Sequence, residues 1–187
     1  MDDMDNVAEF SEALRQSIRT IPDFPKPGIL FRDVTPVLQH PALQAGCVQA
    51  ITERFAPASF DAVGGIEARG FIWGSLLAHE TQKPFFPFRK AGKLPGETYR
   101  IAYSLEYGEA VIEIHQDAFA PGTRVLIVDD LLATGGTAAA ASRLVREAGG
   151  ELVGVAFLIE LVGLGGRDEL IRAGVPEDHI LAMVRYE

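Results

Sequence analysis

Three features of the sequence predict an α/β fold with a central, mostly parallel sheet covered by helices on both faces. Short aliphatic runs alternate with helix-patterned segments over most of the chain. Several runs, among them Val125–Val128 and Leu152–Leu161, are apolar without a break, as strands buried on both faces are. One run also ends in two carboxylates and a glycine turn that opens an alanine-rich helix, VLIVDDLLATGGTAAAA (125–141). Open α/β sheets bind ligands at such strand ends.

The elements follow in order. Val7, Phe10, Leu14 and Ile18 recur at helical spacing behind an acidic start that suits the helix dipole, so a helix is expected to end before Ile21. PDFPKPGILFRD (22–33) opens with three prolines and a glycine in seven residues and is expected to be an extended loop. Pro41 fits the first turn of a second helix whose face is Leu43, Cys47, Ile51 and Phe55. A short strand over Phe60–Gly64, a helix over Phe71–His79 and a strand over Phe85–Phe88 come next. Tyr99–Ser104 and Ala110–His115 alternate in strand fashion and are joined by Leu105–Glu109, which predicts an antiparallel pair. In the second of these, Ala110, Ile112 and Ile114 face one way and Val111, Glu113 and His115 the other. After Val125–Val128 and the alanine-rich helix, Gly149–Gly150 stops the helix. The strand Leu152–Leu161, a short helix at Asp168–Ala173 and a strand at Ile180–Val184 complete a single expected domain, 1–187, without repeats or low-complexity tracts.

Composition bounds the function. The 187 residues carry 17 Lys+Arg against 26 Asp+Glu, a net charge of −9, which argues against general attraction to nucleic acid or an anionic membrane. A small anionic ligand stays compatible, because local cations can override net charge. Cys47 is the single cysteine, so no internal disulfide forms and a reducing cytoplasm is the expected location. The start MDDMDN predicts no secretory leader, and no apolar run approaches the ~20 residues that span a bilayer. His40, His79, His115 and His179 are scattered without metal-ligand spacing.

ATGGT (133–137) lies between strand and helix, where glycines let backbone N–H groups at the positive helix end surround an anion. The nucleotide P-loop pattern and the dinucleotide glycine fingerprint are both missing, and GLGG at 163–166 fails the latter because Asp168 holds the third glycine position. Alone, ATGGT is equally readable as a tight strand-to-helix turn. Asp129 and Asp130 shift the balance. Adjacent strand residues point to opposite faces, so mid-strand one carboxylate would enter the core at considerable cost. At the strand's carboxyl end both can reach one ligand, and a ribose 5-phosphate offers the phosphate to the loop and vicinal hydroxyls to the aspartates. Lys90 and Lys93 form a local cationic site in an acidic chain, or else a solvated basic turn. Phe31 among prolines is either a staple onto the core or a stacking platform.

VLIVDDLLATGGT resembles the phosphoribosyl-diphosphate signature of the type I phosphoribosyltransferases. PDFPKPGILFRDVTP (22–36), GGIEARGFIWG (64–74), RKAGKLPGET (89–98) and YSLEYGEAVIEIHQDA (103–118) resemble the adenine-using members of that family, in order and spacing, from about Phe10 to the terminal RYE. Ala68 stands where some members carry serine. The resemblance implies formation of AMP and diphosphate from adenine and phosphoribosyl diphosphate in purine salvage, with Mg²⁺ held mainly by the diphosphate and water, with no direct protein ligand. It implies that Ala133, Thr134, Gly135, Gly136 and Thr137 bind the 5-phosphate and that Asp129 and Asp130 take the ribose hydroxyls. Arg69 and Lys93 would hold the diphosphate. Arg89 would reach the diphosphate of the neighbouring subunit in a homodimer, with Lys90 beside it, and a cis peptide is implied at Glu67–Ala68. Phe31 would stack on the purine while the backbone of Leu30 and Arg32 reads its edge. Glu106 would lie near adenine N7 as the catalytic acid, with Tyr107 helping to close the site. The family pattern also implies a small N-terminal base-binding hood over about 5–36 and a flexible antiparallel arm over about 94–115.

Three rivals stand beside this reading, one of them a generic sugar-phosphate binder with no chemistry, which would leave Glu106 and Lys93 unexplained. A phosphoribosyl-diphosphate-sensing regulator on the same fold would need a nucleic-acid-binding extension, whereas about twenty residues precede PDFPKPG in an acidic chain. An enzyme for hypoxanthine, guanine or orotate would carry a different base-reading pattern from ILFR and LEYG.

Overall fold

Parallel strand pairing sets the architecture. The computed structural model describes residues 3–105 and 108–187, and the chain divides into two compact units, Met1–Ala50 and Ile51–Glu187.

The first unit begins with α1 (Asp3–Ser17), which ends in the basic Arg15, as the helix dipole favours. β1 (Arg19–Pro22) and β2 (Leu30–Asp33) then pair antiparallel, with Arg19 opposite Asp33 and Pro22 opposite Leu30. The loop expected over 22–33 is therefore shorter than the prolines suggested. Pro25 and Pro27 fall in the turn, where no ladder N–H is needed, and Pro22 sits at the last position of its strand. A 3₁₀ turn at Thr35–Gln39 leads to α2 (Pro41–Arg54). Cys47, Val48, Ile51 and, just past its end, Phe55 are all buried. Burial pushes the Cys47 thiol up to about 12. Gly46 is tight against its own unit, since a Cβ there would fall on the ring of Phe10.

The second unit is built on a seven-stranded sheet of order β5-β6-β4-β3-β7-β8-β9. β3 (Ala62–Ile66), β4 (Phe85–Lys90), β7 (Arg124–Leu132), β8 (Glu151–Leu161) and β9 (Ile180–Tyr186) run parallel. β5 (Thr98–Leu105) and β6 (Gly108–His115) form an antiparallel pair attached to β4 through Arg89–Glu113 and Lys90–Ile112. The helices α3 (Gly70–Thr81), α4 (Gly136–Glu147) and α5 (Gly166–Arg172) complete it.

Alternation along the strands shows that both faces are covered. Ala62, Val125, Ile127, Val155 and Phe157 belong to one buried cluster with Ala138–Ala141, Leu144 and Val145 of α4. The opposite parity, Val63, Leu126, Val128, Ala156 and Leu158, is buried as well. The alanines of α4 are small enough to bring that helix close to the sheet, and Ser142 satisfies its hydroxyl on the Ala138 carbonyl.

Two strands depart from the expected pattern. β7 does not stop at Val128 but continues through both aspartates to Leu132, paired there with β8. In β6, Glu113 is fully buried, as are Ile112 and Ile114, which alternation sets on the opposite face. The partners that make this tolerable come from distant segments.

Candidate active site

β3 and β7 pair side by side, Ala62 with Val125 through Gly65 with Val128, so their carboxyl ends open at the same edge. The turn after β3 is Glu67–Ala68–Arg69, and its Glu67–Ala68 peptide is cis. Arg69 caps α3 and pairs through Nε with the Asp130 carboxylate, a contact spanning 61 residues of chain. Asp130 is buried, whereas the Arg69 side chain is half exposed. The Asp130 N–H donates to Asp129 Oδ1 at 2.9 Å. α3 starts so near this strand end that a Cβ on Gly70 would lie 2.7 Å from the Val128 carbonyl and 2.9 Å from Asp129 Oδ1. Packed there, the Asp129 carboxyl is held well above the ordinary carboxylate range, first by burial and then by the charge of Asp130.

From β7 the chain turns through Ala133–Thr137 into α4. Gly135 is the N-cap, at φ +82°, and its carbonyl accepts the first helical bond from Ala139 N–H at 2.8 Å. The N–H groups of the first turn point out of the helix end, as an anion site requires. The 163–166 loop backs this turn closely. A Cβ on Gly135 would overlap the Gly166 carbonyl and lie 3.0 Å from Gly166 Cα, and a Cβ on Gly166 would overlap the Ala133 carbonyl. GLGG is thus no fingerprint of its own, and its last glycine, Gly166, packs directly against ATGGT. Just beyond it, Arg167 forms a two-pronged pair with buried Glu160 of β8, at 3.0 and 2.7 Å, and Arg185 Nε lies 3.2 Å from the same carboxylate.

The basic segment Arg89–Leu94 is held from two sides by carboxylates. Glu67 accepts Arg89 Nε at 3.2 Å and the Lys90 N–H at 3.1 Å, and lies 3.9 Å from Lys93 Nζ. Burial works to raise its pKa, but the Lys90 N–H and the Arg89 and Lys93 charges outweigh that and keep it below the usual range. Glu113 Oε1 accepts the N–H groups of Lys93 and Leu94, each at 3.0 Å, and Arg100 Nε stands 3.0 Å from Oε2. Burial would raise this carboxyl too, and the Leu94, Gly92 and Lys93 amides with Arg100 bring it down. Arg89 also donates to the Lys93 carbonyl at 3.0 Å, which closes the turn.

In the first unit, Leu30 and Arg32 lie two residues apart on β2, so their backbone groups face the same side of the ladder. Phe31 is not part of the buried set. It meets Phe24 edge-to-face at 5.1 Å, and Phe24 and Leu30 are themselves more than half exposed. Arg32 donates to Thr20 Oγ1 and Arg19 pairs with Asp33 at 2.8 Å, bracing the two strands.

The second unit therefore gathers Arg69, Asp129, Asp130 and Ala133–Thr137 at one strand-end edge, and carries Arg89, Lys90 and Lys93 on a segment tied to the same β3 turn through Glu67. Leu30, Phe31 and Arg32 share one strand in the other unit. Glu106 and Tyr107 lie outside the described residues. Sequence reasoning missed Glu67, Glu113, Glu160 and Gly166. The signals for two of them were an acid inside an otherwise apolar strand run, LIEL for Glu160 and VIEIH for Glu113. Among the described residues no three His, Cys, Asp or Glu side chains gather as a metal-binding group, and no helix is long and apolar enough to cross a membrane.

Known proteins are similar to this chain in sequence and in fold. The family model of the phosphoribosyl transferase domain matches residues 33–180. The adenine phosphoribosyltransferase of Jannaschia sp. is 53% identical over 171 residues, covering 91% of this chain and 96% of the relative. The crystal structure of adenine phosphoribosyltransferase from Rhodothermus marinus is 53% identical at a TM-score of 0.88, covering 96% of this chain and 99% of that one. The enzyme from Saccharomyces cerevisiae, complexed with an iminoaltritol bisphosphate and adenine, is 38% identical at a TM-score of 0.87, covering 94% and 99%.

Proposed function

The chain belongs to the phosphoribosyltransferase family, among its adenine phosphoribosyltransferases, and on that premise we propose how its residues divide the work of making AMP and diphosphate from adenine and phosphoribosyl diphosphate. The observation that carries the assignment is the joint edge of β3 and β7. It sets Arg69 on Asp130, with Asp129 beside them, on the strand that runs into ATGGT.

In this reading, the N–H groups of Ala133–Thr137 bind the 5-phosphate, aided by the Thr134 and Thr137 hydroxyls. Asp129 and Asp130 accept from the ribose hydroxyls, and Arg69 and Lys93 hold the diphosphate. Adenine N9 attacks the anomeric carbon as diphosphate leaves, through a transition state with oxocarbenium character. The leaving group gains charge, so cations aimed at it act most in the transition state. Phe31 stacks on the purine, and the backbone of Leu30 and Arg32 reads the 6-amino pattern. Glu106 hydrogen-bonds or protonates N7, which eases loss of the N9 proton. The base-binding hood and the arm over 94–115, with Tyr107 helping to close it, keep water from the developing cation.

A magnesium ion fits this donor set. Mg²⁺ keeps several waters and is bound largely through substrate phosphates, so diphosphate held by Arg69 and Lys93 would carry it without a direct protein ligand. When bound it would neutralise charge on the diphosphate. The working unit is proposed to be a cytoplasmic homodimer in which Arg89, with Lys90 beside it, serves the neighbouring subunit's diphosphate.

The test is AMP formation from phosphoribosyl diphosphate with adenine, hypoxanthine or guanine. A site built for one donor–acceptor pattern leaves polar groups unpaired with the swapped one, at ~1–3 kcal/mol each. Hypoxanthine should therefore be used at least about tenfold less well. Equal use of both bases would overturn the adenine assignment and leave the superfamily standing.

A further inference from the structure

The cations assigned to diphosphate already carry a carboxylate. Arg89 and Lys93 converge on Glu67, and Arg69, two residues further along the same turn, is paired with Asp130. Asp130 has its own place in the reading, facing the ribose. Glu67 has none. It is ionised, because the Lys90 N–H and the two cations outweigh its burial, and only a small part of its side chain is exposed. It also stays anchored whatever the cations do, since the Lys90 N–H comes from the backbone.

We propose that Glu67 is an internal stand-in for diphosphate: it holds the Arg89 and Lys93 side chains in the free protein and competes for Lys93 with this subunit's diphosphate and for Arg89 with the neighbouring subunit's. This rests on the placement of diphosphate given above and adds a residue that works against tight binding there. Three steps lead to it. Two cations facing open solvent would repel one another and spread, so an anion between them keeps their separation. Phosphate oxygens arriving at the same cations meet a fixed negative charge within contact distance, which weakens the complex. That penalty acts on the product as well as the substrate, so diphosphate leaves more readily after the transfer. The carboxylate thus favours turnover at the expense of affinity.

Glu67→Gln isolates the charge, because the amide oxygen still accepts the Lys90 N–H and the turn keeps its anchor. Binding of inorganic diphosphate, with Mg²⁺ present, is measured by calorimetry on wild type, Glu67→Gln and Lys93→Ala, with AMP as a second ligand. The proposal expects Glu67→Gln to tighten diphosphate by about two- to fivefold, the range a partly exposed ion pair supports, and to strengthen product inhibition by the same factor. AMP binding should not change, and Lys93→Ala should weaken diphosphate. If Lys93→Ala weakens diphosphate but Glu67→Gln leaves it unchanged or weakens it too, Glu67 is scaffolding and the proposal fails alone. If Lys93→Ala and Arg89→Ala both leave diphosphate binding unaltered, the placement of diphosphate fails and takes this proposal with it.

Discussion

Gly135 offers the most quantitative test of the phosphate loop. Replacing it with alanine acts in two ways. At φ +82° an L-residue carries a left-handed penalty of about 1–2 kcal/mol. The new Cβ would also overlap the Gly166 carbonyl and press on Gly166 Cα at 3.0 Å and Glu169 Cβ at 3.1 Å. The nearest of these are backbone atoms, so one loop must move away from the other, at the ~1–3 kcal/mol typical of overpacking. Together the two effects reach ~2–5 kcal/mol, against a typical total stability of about 5–15 kcal/mol. At about 2–4 °C per kcal/mol for a chain of this size, the unfolding midpoint should fall by roughly 4–20 °C. Displacing the turn also moves the N–H groups of the cradle, so AMP affinity should drop by more than about tenfold, or ~1.4 kcal/mol. Thermal unfolding and AMP calorimetry on Gly135→Ala give both numbers. Gly163→Ala is the control, since nothing lies within 4 Å of its added Cβ, and it should stay within about 0.5 kcal/mol of wild type. A Gly135→Ala protein with wild-type midpoint and AMP affinity would refute both the packing argument and the phosphate assignment.

Further tests address single side chains. Asp129 has a folded pKa raised above its unfolded value, so its contribution to stability is present below the ordinary 3.8 and lost as pH rises through the folded value. Asp129→Asn should therefore raise the unfolding midpoint of the ligand-free protein at neutral pH, with the gain vanishing in acid, while weakening phosphoribosyl diphosphate. A midpoint below wild type at pH 7 would contradict this. Glu113→Gln removes the charge that gathers the Lys93 and Leu94 amides, so KM for phosphoribosyl diphosphate should rise with kcat little changed. Stability should fall by about 1–3 kcal/mol, and unchanged KM would exclude a role in placing Lys93. Glu106→Leu should lower kcat by roughly 10²–10⁴-fold, as for a positioned acid–base group, with phosphoribosyl diphosphate affinity intact. A normal kcat with a raised KM for adenine would make Glu106 a positioning group only.

Hydrophobic patterning made the strand-and-helix order legible, because a buried parallel strand and a helix stripe are both local signals. The same locality explains the misses. Leu30–Asp33 was hidden by the prolines before it, since its strand character depends on Arg19–Pro22, which pairs with it from the far side of that turn. β7 passes through Asp129 and Asp130 because Arg69, 61 residues away in the chain, pairs with the buried Asp130 carboxylate. Glu113 is tolerable inside β6 only because the 92–94 amides and Arg100 meet it there. GLGG was rejected as a glycine fingerprint correctly, yet its last residue, Gly166, is needed for close approach to ATGGT, which no spacing rule records. The glycine turn and the paired acids at its strand end were readable because strand end, turn and helix start are consecutive. The residues that brace them come from elsewhere in the fold.

The strand order has an evolutionary reading. β3 and β7 are immediate neighbours in the sheet, yet everything between α3 and the start of β7, from β4 through the β5–β6 pair, is laid out on the far side of β3. That excursion leaves and rejoins the centre without passing between Arg69 and Asp130. Insertions, deletions and rewritten loops there need not alter the register that aligns the carboxyl ends of β3 and β7. Such a layout divides the molecule into an inherited frame and an editable branch. A lineage can then try new lengths and chemistries in the branch while the joint edge of β3 and β7 keeps its register.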